Sequence, residues 1–174
     1  HEKVTFVNHF GITLAADLYT PKSKEDKMKA LVVCGPFGAV KEQASGLYAQ
    51  TMAERGFVTM AFDPSFTGES GGNARDVYSL DINTEDFQAA IDFISQLNFV
   101  DKEKIGIIGI CGWGCIALNA AANDPRIKAT AAITMYDRRR VGAWGYFDEG
   151  SADARYETKK TIASLRTKEY LSDT

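Results

Sequence analysis

The stretch from Lys104 to Ala122 constrains this chain more than any other part of it. An unbroken apolar run, Ile105 to Ile110, gives way at once to Cys111-Gly112-Trp113-Gly114 and then to the small and apolar residues Cys115 to Ala122. A run without polar alternation fits a parallel strand covered on both faces. Glycine beside the break lets the backbone turn sharply and pack closely. Strand, sharp turn and helix in that order present one side chain, Cys111, between the carboxyl end of a strand and the amino end of a helix. The unpaired N–H groups and positive dipole of a helix start favour an anion, either a thiolate or a developing oxyanion. Cys111 is therefore the leading candidate for a reactive residue, with a buried small hydrophobe as the alternative.

The rest of the chain supplies the sheet that such a strand needs. Lys3 to Asn8 and Ile12 to Tyr19 alternate polar and apolar residues across a short link, which predicts an antiparallel hairpin with one wet face. Pro21 to Lys29 is a charged connection. Ala30 to Cys34 is a short apolar strand that runs into Gly35-Pro36-Phe37-Gly38-Ala39, a loop too rich in Gly and Pro to be helical. Glu42 to Glu54 carries a helical pattern stopped by Arg55-Gly56. Phe57 to Phe62 is another buried-type strand, followed by the turn-forming loop Asp63 to Gly72, in which Asp63 and Ser65 either line a pocket or serve as turn residues. A helix is predicted from Asn83 to Leu97, a last strand from Ile127 to Tyr136, and a charged amphipathic helix from Ser151 to Leu171 with Ala154, Ile162 and Leu165 inward. Strands alternating with helices from residue 30 onward mean βαβ units and a mostly parallel sheet with helices on both faces.

Composition narrows the function classes. A formal charge of -3 and a pI near 5.4 argue against nucleic acid as a partner, and no apolar stretch is long enough for a bilayer. Cys34, Cys111 and Cys115 form no even disulfide framework, so a reducing, cytoplasmic compartment is expected. Metal binding by Cys111 and Cys115 would need ligands that the chain does not place nearby, and no metal or cofactor is expected.

Two chemistries fit the central turn. Gly112-Trp-Gly-Cys-Ile-Ala117 satisfies a dinucleotide fingerprint, and Asp137 ends the next strand about twenty residues on, as a ribose-binding acid should. Trp113 would crowd a pyrophosphate there. The other reading is a nucleophile elbow, Gly109-Ile-Cys-Gly-Trp-Gly114. With the Gly-Pro-Phe-Gly-Ala loop after the third strand and Asp-Pro-Ser-Phe-Thr-Gly-Glu-Ser-Gly-Gly after the fourth, the chain resembles the α/β-hydrolase superfamily. It is most similar to a bacterial dienelactone-hydrolase-like branch in which cysteine can stand at the elbow. The resemblance implies that Cys111 is the nucleophile, that the backbone N–H groups of Gly112 and Phe37 form the oxyanion hole, and that Asp137 is the candidate acid. Phe37, Phe66, Trp113 and Tyr136 are the candidates to line a substrate pocket, with core packing as their alternative. Trp113 stands where the family usually has a small residue, so its bulk must point away from the turn.

In this family order a histidine follows the nucleophile, yet none follows Cys111; His1 and His9 both precede it. The resemblance places His9 at the far side of the sheet from the elbow, and the seventh and eighth strands are missing. The expected organisation is an α/β-hydrolase core of six strands over residues 1–140 and the start of a cap or connecting helical segment over 141–174. The expected function is hydrolysis of a small ester, lactone or thioester, with a small-molecule acyl compound as substrate and an incomplete triad. A binding domain that has lost catalysis and a dinucleotide binder are the alternatives. The unpaired edge left by the last strand predicts self-association or association with the remainder of a longer protein.

Overall fold

The computed structural model describes residues 1–22 and 26–172; the expected connection from Pro21 to Lys29 falls partly on 23–25, outside the described residues. Two compact units divide at Tyr136 and Asp137. The first holds a six-stranded sheet. Strand β1 (Glu2–Val7) pairs antiparallel with β2 (Thr13–Tyr19), placing Glu2 opposite Leu18 and Val7 opposite Thr13. Asn8 shapes the turn between them, its Oδ1 accepting from the N–H groups of Phe10 at 3.0 Å and Ile12 at 2.9 Å. Strands β3 (Met28–Cys34), β4 (Val58–Phe62), β5 (Val100–Ile110) and β6 (Ile127–Ile133) run parallel in the order β1-β2-β4-β3-β5-β6, with β2 antiparallel to β4.

Alternation along the strands sorts the core onto the two faces. Val32, Met60 and Ile107 pack under helices α2 (Leu80–Ser95) and α3 (Gly112–Asn123), with Phe87, Ile91 and Ile116 buried among them. Val33, Ala61, Ile108 and Ile110 point the other way, toward α1 (Ala44–Glu54) and its Ala49. Each fully buried Ile or Phe in these layers contributes roughly 1.5–3 kcal/mol by leaving water. This is the fold of the α/β-hydrolases.

Several boundaries differ from expectation. Helix α2 starts at Leu80 because Ser79 caps it, its Oγ accepting from Ile82 N at 3.4 Å. Asn83 lies inside the first turn, where its Oδ1 accepts from Ser79 N at 2.9 Å. Strand β6 ends at Ile133, before Tyr136, since the backbone turns left-handed at Thr134 with φ 48°.

The second unit contains α4 (Arg138–Trp144), a short 3₁₀ turn and α5 (Ala152–Ser172). Arg140 pairs with Asp148, and the Arg155 guanidinium sits 4.6 Å from the centre of the Trp144 ring. The inward face expected for the last helix is not formed: no residue of α5 is buried, and Ile162 and Leu165 are more than half exposed. Among the described residues no helix is long and apolar enough to cross a membrane.

Candidate active site

Cys111 occupies the N-cap of α3 with φ 57° and ψ −124°. A non-glycine residue in this region costs on the order of 1–3 kcal/mol, which surrounding structure must offset. Here the N–H of Cys111 donates to the Ile133 carbonyl at 2.8 Å, and its own carbonyl accepts from Gly114 N at 3.0 Å. Gly109 makes the turn sterically possible. A Cβ on it would lie 2.3 Å from the Trp113 oxygen and 2.6 Å from the Ala117 Cβ, so α3 rests directly on the end of β5. The side chain of Cys111 is half-buried. Gly112 opens the helix, so its N–H is one of the first-turn donors without an intrahelical acceptor.

The loop after β3 crosses the same point. Gly35 has φ 109°, and a Cβ there would meet the Ile110 oxygen at 2.4 Å. Only glycine permits this approach. The Gly35 carbonyl accepts from Ser45 Oγ in the first turn of α1, and the Gly35-Pro36 peptide is cis. The loop thus carries Phe37, 40% exposed, past the turn. The Phe37 ring meets Tyr78 edge-on with centroids 6.1 Å apart, and Tyr78 lies 6.2 Å from Trp113. Tyr78 Oη also stands 3.7 Å from Cys115 Sγ, which itself donates to the Gly112 carbonyl at 3.1 Å. Tyr78 carried no sequence signal, since it lies in an aperiodic segment.

Beneath these loops are two buried polar networks. Asp63 is fully buried and accepts from Lys41 N at 2.6 Å, Lys41 Nζ at 3.1 Å and Glu69 N at 2.9 Å. Burial works against the Lys41 charge, but hydrogen bonds to Glu42, Glu69 and Asp63 outweigh it and raise its pKa. Hydrogen bonds from Lys3 and then Lys41 pull the Glu69 carboxyl down to about 2. In the second network Asp86 accepts from Asn8 Nδ2 at 2.8 Å, Ser65 N at 2.8 Å, Ser65 Oγ at 2.7 Å and Asn83 Nδ2 at 3.0 Å. Burial pushes the Asp86 carboxyl up, against those hydrogen bonds. Asp63 and Ser65 are therefore buried framework residues.

Burial likewise corrects two of the aromatic candidates. Phe66 is 9% exposed beneath Gly72, where a Cβ would be 2.3 Å from its ring. Trp113 is 2% exposed and belongs to the core under α2 and α3, its ring set against Gly35, and its indole N–H is buried without a hydrogen-bond partner among the described residues. Neither presents a surface to a ligand. Tyr136 is half-buried, just beyond β6. Asp137 Oδ1 caps α4, accepting from Arg139 N at 2.9 Å and Arg140 N at 3.0 Å. His9 is exposed on the β1–β2 turn with Nδ1 3.2 Å from Glu85 Oε1, and β2, β4 and β3 separate β1 from β5. The dinucleotide fingerprint fails on contact. A Cβ at Gly114, the glycine a pyrophosphate must approach, would lie 2.5 Å from the Met135 Cβ, so that face is already covered.

The six-stranded order agrees with the relatives that the chain resembles. The model of the X-Pro dipeptidyl-peptidase (S15) family matches residues 11–166. The chain belongs to this family. Among curated proteins it is 61% identical to the uncharacterized protein PA2218 of Pseudomonas aeruginosa over all of this chain and 47% of that protein. It is 30% identical to the thiohydrolase aneE of Aspergillus aculeatus, over 76% of this chain and 41% of the other. The crystal structure of PA2218 superposes with a TM-score of 0.95, covering 99% of this chain and 54% of that one. The α/β-hydrolase GrgF of Penicillium sp. sh18, 26% identical, superposes with a TM-score of 0.70 over 74% of this chain and 44% of its own. This S15-family chain thus spans about half the length of the curated relatives it matches.

Proposed function

We propose that the chain carries the nucleophile half of an acyl-transferring hydrolase of dienelactone-hydrolase-like type, acting through Cys111 on a small thioester, ester or lactone. The observation that carries the reading is the left-handed backbone of Cys111, held where the Gly35 loop crosses the start of α3. Strain at a cysteine poised on a strand-to-helix turn fits a nucleophile aimed out of the fold. Similarity to a protein named thiohydrolase favours thioesters within the class.

In this reading Cys111 Sγ attacks the acyl carbon and a carbon–sulfur bond forms. The carbonyl oxygen takes the negative charge in front of the Gly112 N–H, with Phe37 N–H as the second donor. Collapse expels the leaving thiolate or alkoxide, which takes the proton that Cys111 gave up; water then adds to the acyl carbon, the carbon–sulfur bond breaks, and the acid and the Cys111 thiol are released. Phe37 and Tyr78 flank the acyl group. The two histidines flank β1, His1 before it and His9 on the turn after it, at the opposite margin of the sheet, and Asp137 is engaged as a helix cap. General acid–base help typically contributes roughly 10²- to 10⁴-fold, so this chain acylates faster than it turns over.

The test is intact mass after incubation with an S-aryl thioester and with an aryl ester. One acyl group on Cys111, abolished by Cys111→Ala and unchanged by His9→Ala, is the expected result. No adduct, or an adduct on Cys34 or Cys115, would sink the assignment and leave a binding domain that has lost its chemistry.

A further inference from the structure

Trp113 is the bulkiest side chain in the first turn of α3, two residues beyond Cys111, and the acyl-transfer reading gives it no task. Its ring meets the loop after β3: a Cβ on Gly35 would lie 2.8 Å from the indole Cδ1 and 3.0 Å from the Trp113 Cβ. It also meets Tyr78, with ring centroids 6.2 Å apart and planes inclined at 52°. Tyr78 in turn carries the Phe37 ring at 6.1 Å. One side chain therefore supports Phe37 twice, through the backbone at Gly35 and through the ring of Tyr78. Gly35 is the buried footing of a loop whose next residues, Pro36 to Val40, are all at least partly exposed. It is seated between α1, where Ser45 Oγ donates to its carbonyl, and α3, where Trp113 stands. The indole carries a cost as well. Its N–H is buried without an acceptor among the described residues, and Nε1 is the ring atom next to the Cδ1 that meets Gly35. A phenyl ring would fill much of the site without an unpaired donor. What indole adds is reach, from the helix across to the loop.

We propose that Trp113 is a positioning residue for acyl transfer: it spans the gap between the Cys111 turn and the Gly35 loop, and so sets where the Phe37 N–H stands relative to that of Gly112. The inference rests on the acyl-transfer reading, in which those two groups receive the oxyanion. Buried in the core, Trp113 acts through the loop and not on the substrate. A loop displaced by about 1 Å would leave Cys111 in place and lose the second donor, and misplacement on that scale costs on the order of 10²-fold. Acylation needs both donors, because negative charge collects on the carbonyl oxygen. Alkylation of the same sulfur by iodoacetamide does not. There the thiolate attacks a saturated carbon, a carbon–sulfur bond forms, the carbon–iodine bond breaks and iodide departs, with no oxyanion at any stage. The ratio of the two rates therefore reports the donors and cancels any change in the thiolate itself.

Wild type, Trp113→Leu and Trp113→Phe are compared in acylation of Cys111 by an S-aryl thioester and in its alkylation by iodoacetamide, both followed by mass with the site mapped. In Trp113→Leu acylation is expected to fall by roughly 10- to 100-fold, short of the roughly 10²- to 10³-fold that follows loss of a whole oxyanion donor, while alkylation holds. Trp113→Phe keeps an aromatic ring and is expected to restore part of the ratio. A leucine variant that acylates at the wild-type rate, or that loses acylation and alkylation by the same factor, overturns the proposal. Where that variant folds poorly, the phenylalanine variant decides: its ratio is expected below wild type, and an unchanged ratio overturns the proposal. Hydrogen exchange supplies a readout that needs no acylation. The Ala39 N–H donates to the Pro36 carbonyl at 3.1 Å within the loop, and it is expected to exchange faster in both variants than in wild type. Faster exchange in the variants of a protein whose wild type does not acylate removes the hydrolase reading and leaves the seat of the loop on Trp113 standing. Unchanged exchange removes the positioning role whatever the acylation.

Discussion

At Gly109 one methyl group separates a formed turn from a broken one. Its missing Cβ is where the Trp113 oxygen and Ala117 Cβ pass, at 2.3 and 2.6 Å. The first obstacle is backbone and the second belongs to a buried helix residue, so neither can swing aside. Gly109→Ala is expected to destabilise the fold by about 1–3 kcal/mol, the usual cost of overpacking, and to lower acylation of Cys111 by more than the unfolded fraction explains. Urea unfolding should show a lower midpoint at unchanged slope. An unaltered midpoint together with wild-type acylation would mean that α3 does not sit on β5 as described. The strand, turn and helix around Cys111 were legible in the sequence because an apolar run broken by glycines marks where the chain must turn. Phe66 and Trp113 were harder to place, since an aromatic beside glycine reads equally as a platform or as core until the packing is known.

Between elements, the Lys3, Glu69 and Lys41 network ties β1 to the loop after β4 and to the approach of α1. Lys3 Nζ lies 2.7 Å and Lys41 Nζ 2.6 Å from Glu69 carboxylate oxygens. Glu69 falls from 4.5 to about 2 on folding. A depressed carboxylate contributes stability that is fully present above the unfolded value and lost as pH falls through the folded one. Glu69→Gln should therefore leave a smaller loss of melting temperature than wild type between about pH 4.5 and pH 2. Parallel acid limbs for the two proteins would show that the ion pairs do not couple to folding. Asp86 acts in the opposite sense, its raised carboxyl becoming easier to bury as pH falls, so the substitution isolates the first effect. Strand existence was readable because buried parallel strands are continuous apolar runs; their order in the sheet was only what the resemblance implied. Boundaries were not: Asn83-Thr84 imitates a helix start that Ser79 actually makes, and Thr134 to Tyr136 keep strand-like composition after the backbone has turned. The networks were invisible, because Lys41 meets Asp63 from 22 residues away and Tyr78 meets Cys115 from 37.

For the molecule as a whole, β6 is an outer strand of the sheet among the described residues. Lys128 is its only charge, and Ala129 and Ala131 are exposed. A strand with so little protection is a template for another. Association is therefore expected, either between copies of this chain or with the remaining portion of a longer protein. Light scattering checks it: a persistent monomer whose β6 amides exchange as slowly as those of Ile105 to Ile110 would rule the expectation out. The same strand holds the turn at Cys111, since the Ile133 carbonyl receives the Cys111 N–H at 2.8 Å. Cys111 is thus tethered to the sheet's margin rather than to its centre, as a door is hung from the frame and not from the wall. Displacing that margin would remove the acceptor of the Cys111 N–H, so the backbone at Cys111 is only as fixed as the outermost strand beside it.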